Sequence, residues 1–344
     1  MKKKILIVSY GGTIVMVVDK KKKAIVPAEN IETILENVPR LNEYADVDFK
    51  ILSNVDSTNV TPDDWTRIAL FLSDKMDEYD GFVITHGTNT MSYTASAIGL
   101  ALGRGLKKPI IITGSQLPLT VYGNDARFNL ENAIKTAVLA AEEKIAEVMI
   151  VFNDVILRGG RSVKISESSF NAFTSPSFPV IGNITSRGIT FNQYAHHCDK
   201  NTPFELKPHF QTGILTVDLV PGQLPGLIEE VLKSGKCKGV ILKSHGAGSV
   251  PTVNEYSFIP LIECAVNKYQ VPILISTKFM GGNPIKDIND EPAVEAQNAG
   301  AIPTGDMTDV MSEVKLMWLL AQGFREKDKL KQEILKDYIG EITT

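Results

Sequence analysis

Cysteine is scarce: Cys198, Cys237 and Cys264 are the only three in 344 residues, with no Cys-x-x-Cys spacing and no histidine at zinc-ligand intervals. That pattern excludes a disulfide framework and a zinc site and predicts free thiols in a reducing compartment. No run approaches the roughly 20 apolar residues of a membrane span. Met1-Lys2-Lys3-Lys4 followed by Ile5 to Val8 has the basic start of a signal peptide, but Gly11-Gly12 breaks the run short of an h-region of roughly 7–15 residues. The expectation is a cytoplasmic protein with no membrane partner. Nor does one sign of charge dominate. With 36 Lys+Arg against 40 Asp+Glu and a formal net charge of -4, the chain lacks the basic excess of a sequence-independent nucleic-acid binder. A small molecule is the expected partner.

What is present is a large apolar fraction, 43%, in short β-rich runs that alternate with longer amphipathic stretches. This is the pattern of mainly parallel sheets flanked by helices in an α/β fold. Strands are expected at 4–9, 49–52, 81–85, 109–113 and 148–152. Helices are expected from Thr61-Pro62-Asp63-Asp64 onward, where Thr suits the cap and Pro the first turn, and at 91–103 and 124–142. Periodicity fades over 166–208, which reads as a loop, a hairpin and a connector. A second set follows, with strands at 213–217, 239–243 and 272–277 and helices at 225–234, 257–267 and 309–320. The expected organisation is an N-terminal domain over 1–190 that carries the chemistry, a linker over 191–210 and a smaller domain over 211–344.

In parallel α/β sheets ligands sit at the carboxyl ends of strands. Four such junctions are polar: Tyr10-Gly11-Gly12-Thr13, Asp56-Ser57-Thr58, His86-Gly87-Thr88-Asn89-Thr90 and Thr113-Gly114-Ser115-Gln116. The paired glycines let backbone approach a ligand, and the absence of GxxxxGKS/T or GxGxxG argues against a nucleotide. A threonine hydroxyl needs a base to become a nucleophile. His86 is the nearest candidate, although a lone histidine at a strand end is more often structural. Lys164 is another, if burial or Arg161 favours its neutral amine.

These residues also match a family. Gly11-Gly12-Thr13-Ile14, Asp56-Ser57, the run from His86 to Met91, Thr113 to Gln116, the run from Arg158 to Lys164 and Gly305-Asp306-Met307-Thr308 resemble, in order and spacing, the bacterial-type L-asparaginases, and most nearly their cytoplasmic type I branch. The resemblance implies a two-domain asparaginase-like fold, a homodimer or homotetramer, and no metal or organic cofactor. It implies hydrolysis of a side-chain carboxamide, of L-asparagine or a derivative, to carboxylate and ammonia through an acyl-enzyme. Carried onto this chain, Thr13 is the nucleophile, Thr88, Asn89 and Lys164 form the second catalytic group, and Gly12, Asp56, Ser57, Gly87 and Ser115 hold substrate.

The chain departs from that pattern in several places. Asn89 stands where the family's HGTDT has an aspartate, so residue 89 cannot ionise. The loop after Thr13 has no tyrosine and instead carries Lys20 to Lys23, read either as a solvated tip or as a basic lid; Tyr10, Tyr93 and Tyr122 are stand-ins for the lid hydroxyl. Gly246-Ala247-Gly248-Ser249 and Thr277-Lys278 also differ from the family's usual residues. The alternatives are a diverged enzyme whose substrate lacks a free α-ammonium, or a ligand-binding homologue without turnover. An amidotransferase subunit sharing these signatures is disfavoured, because such chains carry an extra N-terminal region ahead of the first glycine pair.

Overall fold

The computed structural model describes residues 2–19, 24–27, 38, 41–284 and 290–343; the Lys20 to Lys23 run lies outside them. The chain divides into two compact units, Met1–Pro208 and His209–Thr344.

The first unit contains β1 (Lys4–Tyr10), β2 (Met16–Asp19), β3 (Ala24–Pro27), α1 (Leu41–Tyr44), β4 (Asp46–Ser53), α2 (Pro62–Lys75), β5 (Gly81–Thr85), α3 (Met91–Leu102), β6 (Ile110–Thr113), α4 (Ala126–Glu143), β7 (Val148–Phe152) and β8 (Val155–Arg158). After these come the short pair β9 (Val163–Lys164) and β10 (Phe173–Thr174) and the hairpin β11 (Gly182–Thr185) and β12 (Gly188–Phe191). Its eight-stranded sheet runs β12-β11-β8-β7-β6-β5-β1-β4. From β4 through β7 the pairings are parallel. The chain passes from β1 to β4 on one side and then to β5 on the other. That reversal opens a crevice at the carboxyl ends of β1, β4 and β5, where ligands bind in such sheets.

Local chemistry explains the elements. Asp64 accepts from the Thr61 N–H at 2.7 Å and the Thr61 hydroxyl at 2.8 Å, which fixes the start of α2. Trp65, Ile68, Ala69 and Leu72 then form its buried stripe at three- and four-residue spacing. Helix α3 is buried nearly all round, as befits an apolar helix against a sheet face. Ile5, Ile7, Val83 and Ile111 of the sheet pack with Leu130, Ala133 and Ile134 of α4 in one core. The parallel run ends at Asn153, whose positive φ of 53° sets a tight two-residue turn and sends β8 back antiparallel to β7.

The second unit holds β13 (Ile214–Asp218), α5 (Gly226–Lys233), β14 (Gly239–Ser244), α6 (Ile259–Asn267), β15 (Ile273–Thr277), α7 (Glu291–Ala299), β16 (Ile302–Pro303), α8 (Asp309–Ala321) and α9 (Lys327–Leu335). Its four strands are parallel and in chain order. The Gly305-Asp306-Met307-Thr308 motif serves structure here: Asp306 accepts from the Thr343 N–H at 2.8 Å and its hydroxyl at 2.5 Å, and Thr308 caps α8 by accepting from the Met311 N–H at 3.0 Å.

Candidate active site

Three turns meet at the crevice. The first follows β1. Gly12 takes φ 87° and ψ 159°, and a Cβ there would lie 2.5 Å from the His86 carbonyl carbon and 2.6 Å from the Gly87 nitrogen. Only glycine fits so close to the third turn, and the next residue, Thr13, begins a single 3-10 turn through Val15. The second turn follows β4. The Asp56 carboxylate accepts from the Thr58 N–H at 2.8 Å, and Thr58 holds its pKa below the ordinary carboxylate value, chiefly through that bond. Ser57 is buried beside Gly87, where a Cβ would meet the Ser57 hydroxyl oxygen at 2.5 Å. The Thr90 hydroxyl ties the second and third turns by donating to the Ser57 carbonyl at 2.7 Å.

A cavity of about 260 Å³ opens among these turns. It is lined by Gly11, Gly12, Thr13 and Met16 from the first, Asn54, Val55, Asp56 and Ser57 from the second, and Gly87, Thr88 and Asn89 from the third. The volume suits a ligand of amino-acid size, below most drug-sized pockets. Beside it, the β9–β10 pair delivers Lys164, whose Nζ donates to Thr88 Oγ1 at 2.8 Å and to Asn89 Oδ1 at 2.9 Å. Burial pushes the Lys164 pKa down, with Glu167 opposing it; Arg161, expected as a depressing neighbour, is not a cause. Arg161 is instead fully buried with its guanidinium over the Phe178 ring.

The structure thus gathers Gly12, Thr13, Asp56, Ser57, Gly87, Thr88 and Asn89 around one cavity, with Lys164 against its wall. Ser115 is not among the lining residues; it is buried and its hydroxyl donates to the Leu117 carbonyl at 2.7 Å. His86 is structural. It is wholly buried, its Nδ1 bonds the Gly87 carbonyl at 2.7 Å and its Nε2 bonds Thr94 Oγ1 at 3.0 Å, and burial lowers its pKa to about 4. Of the stand-in tyrosines, Tyr10 stacks on His86 and donates its hydroxyl to Asp64 at 2.6 Å, while Tyr122 is fully exposed. In the second unit, Ser249 bonds Asp290, and Lys278 bonds the Leu219 carbonyl and pairs with Asp218 at 3.5 Å. Sequence reading missed Asn54, Val55 and Met16, which carry no motif and reach the cavity only through the paths of β4 and the first turn; Thr58, read there only as part of a polar junction, links Asp56 and Asn89.

The same arrangement has relatives. Residues 4–197 match the asparaginase N-terminal family and residues 214–332 the glutaminase/asparaginase C-terminal domain. The chain is 30% identical to the L-asparaginase of Thermococcus kodakarensis over 99% of both chains, and superposes on that enzyme's solved structure with a TM-score of 0.89 at 28% identity over 99% of each. It is 31% identical to L-asparaginase 1 of Escherichia coli over 100% of this chain and 99% of that one. It is also 30% identical to a glutamyl-tRNA(Gln) amidotransferase subunit of Methanosarcina barkeri, over 99% of this chain and 79% of that protein. With both family domains matched in order and full-length likeness to solved relatives, the chain belongs to the asparaginase family and is an asparaginase-like amidohydrolase.

Proposed function

We propose that the protein hydrolyses the side-chain amide of L-asparagine, or of a close derivative, with Thr13 as nucleophile. The observation that carries this reading is the Lys164 amine at 2.8 Å from the Thr88 hydroxyl, on the wall of the cavity that Thr13 enters from the opposite turn. The Thr13 oxygen adds to the amide carbon, and the oxyanion that forms is stabilised by backbone N–H groups of the glycine-rich turns. The Thr13 proton, taken up by the Thr88–Lys164 pair as the oxygen adds, passes to the departing nitrogen. Collapse of the intermediate then breaks the C–N bond, expels ammonia and leaves an ester on Thr13. The Thr88–Lys164 pair then takes a proton from the water that cleaves the ester, releasing the carboxylate. Asp56 receives the substrate's ammonium and Ser57 its carboxylate. Three free cysteines accord with a cytoplasmic setting. Exposed Leu224, with Leu227 and Val231 along α5, supports self-association as a homodimer or homotetramer, which sedimentation would test; a monomer at micromolar concentration would refute it.

The test is ammonia release from asparagine, glutamine, N-acylated asparagine and short Asn-ended peptides. Thr13→Ala is expected to lower the rate at least about a thousandfold without unfolding the chain. A folded Thr13→Ala protein that retains its rate would exclude Thr13 as nucleophile. A second reading has an observation of its own: with asparagine at 89, Asp56 is the only carboxylate lining the cavity among the described residues. If N-acylated asparagine is cleaved faster than asparagine, the substrate is an amide without a free α-ammonium. If wild type releases nothing from any of the set, the fold binds without turnover.

A further inference from the structure

Asn89 has an unusual set of partners. Its Oδ1 accepts from Lys164 Nζ at 2.9 Å, and its Nδ2 donates to Thr58 Oγ1 at 3.2 Å. The Thr58 N–H in turn donates to the Asp56 carboxylate at 2.8 Å. The direction of each bond is fixed by chemistry. An ammonium only donates, so the amide oxygen must face Lys164, which turns the NH₂ toward Thr58. The Thr58 oxygen accepts that bond, and the Thr58 N–H donates onward to Asp56, which only accepts. The result is a one-way chain of donors, Lys164 to Asn89 to Thr58 to Asp56, running from the candidate base to the carboxylate that lines the cavity.

We propose that Asn89 is a positioning residue that relays hydrogen bonds in one direction between Lys164 and Asp56, while leaving Lys164 without a carboxylate partner. The position requires a side chain that accepts on one edge and donates on the other. A carboxylate at 89 accepts on both edges; it would reverse the Thr58 contact, taking the hydroxyl proton instead of donating to the oxygen, and turn the Lys164 contact into an ion pair. Among the described residues the charge that bears directly on Lys164 is Glu167, on its own hairpin; Asp56 reaches it only through the relay. With no anion touching it, the amine loses its proton at lower pH than an ion-paired lysine, which suits a base acting near neutrality. The inference rests on the role given to Lys164 above, but its geometry does not depend on turnover.

The experiment is competitive acetylation of Lys164 across pH in the full-length protein, read by peptide mass spectrometry, since only the neutral amine reacts. Asn89→Asp is expected to raise the pH of half-reaction by about one to three units, the effect of an opposite charge at contact distance. Thr58→Val, which removes only the hydroxyl, cuts the relay from Asp56 and is expected to lower it. Opposite displacements support the relay. A midpoint unchanged in either folded variant, or displaced the same way in both, overturns it. If Asn89→Asp fails to fold, Thr58→Val alone decides. If the midpoints move as expected and no amide is cleaved, the relay stands and the hydrolase reading falls. In an active enzyme the acid limb of kcat/KM follows the same midpoints.

Discussion

Lys164 and Lys315 are both pulled out of water, and their surroundings differ in one respect. Lys315, on α8, is wholly buried against Glu341 at 2.6 Å and donates also to the Lys336 carbonyl at 2.6 Å. Glu341 takes the N–H groups of Tyr338 and Ile339 as well, so the pair fastens the last turn of the chain to the second unit. Lys164 is half-buried and meets two neutral oxygens at the edge of a cavity. Burial lowers both amines, opposed at Lys315 chiefly by Glu341 and at Lys164, among the described residues, by Glu167, which is not in contact with it. The lesson is that burial alone does not mark a reactive lysine. An ammonium given a buried carboxylate is committed to structure, whereas one given only dipoles can surrender its proton.

Removing each amine's chemistry should expose the contrast. Lys164→Met is expected to slow ammonia release by about a hundred- to ten-thousandfold, while urea melts stay within about 0.5 kcal/mol of wild type because the side chain is only half-buried. A variant that unfolds without such a rate loss would make Lys164 structural and end the distinction. Glu341→Ala reverses the pattern: leaving Lys315 buried without its anion should cost about 3–5 kcal/mol, with kcat unchanged wherever the chain is folded. An unaltered denaturation midpoint would show that the pair holds nothing.

A third buried base sharpens the comparison with a smaller effect. His86 has no anion in hydrogen-bond contact among the described residues, and its pKa falls from an ordinary 6.5 to about 4. The unfolded chain therefore takes up a proton between those values that the folded chain refuses, so stability present above pH 6.5 is lost as pH falls to about 4, by about 3 kcal/mol. His86→Asn should flatten that part of the acid slope relative to wild type, measured as urea midpoints at successive pH values. Parallel slopes in the two proteins would mean that His86 titrates freely in the native state.

The strands were legible in the sequence wherever burial on both faces left an uninterrupted apolar run, as in Ile5 to Val8 or Val148 to Phe152. The short or polar elements were not. β8 depends on the left-handed turn at Asn153, and α9 has a sparse buried face made by Leu330 and Ile334. At the site, threonine and glycine positions were legible because turn chemistry leaves fixed spacings. The partnership of Asn89 with Thr58 was not, since it spans 31 residues and rests on how two turns meet. Arg158 looked like part of a catalytic motif but closes a buried pair with Glu147 at 2.8 Å. Identical residue types serve charge burial in one place and chemistry in another, and only the neighbours separate them.

The glycine contacts also instruct anyone who would redesign the pocket. Side chains added at Gly12, Gly87 or Gly114 would strike the neighbouring turn at 2.5 Å, and at Gly12 and Gly114 the atom struck belongs to the rigid backbone of His86. A library that varies these positions would spend its members on misfolded chains. Met16 and Asn54 line the same cavity without that constraint and without a part in the bonds that hold Lys164. Randomising those two alone would sample new substrate preferences on an intact frame.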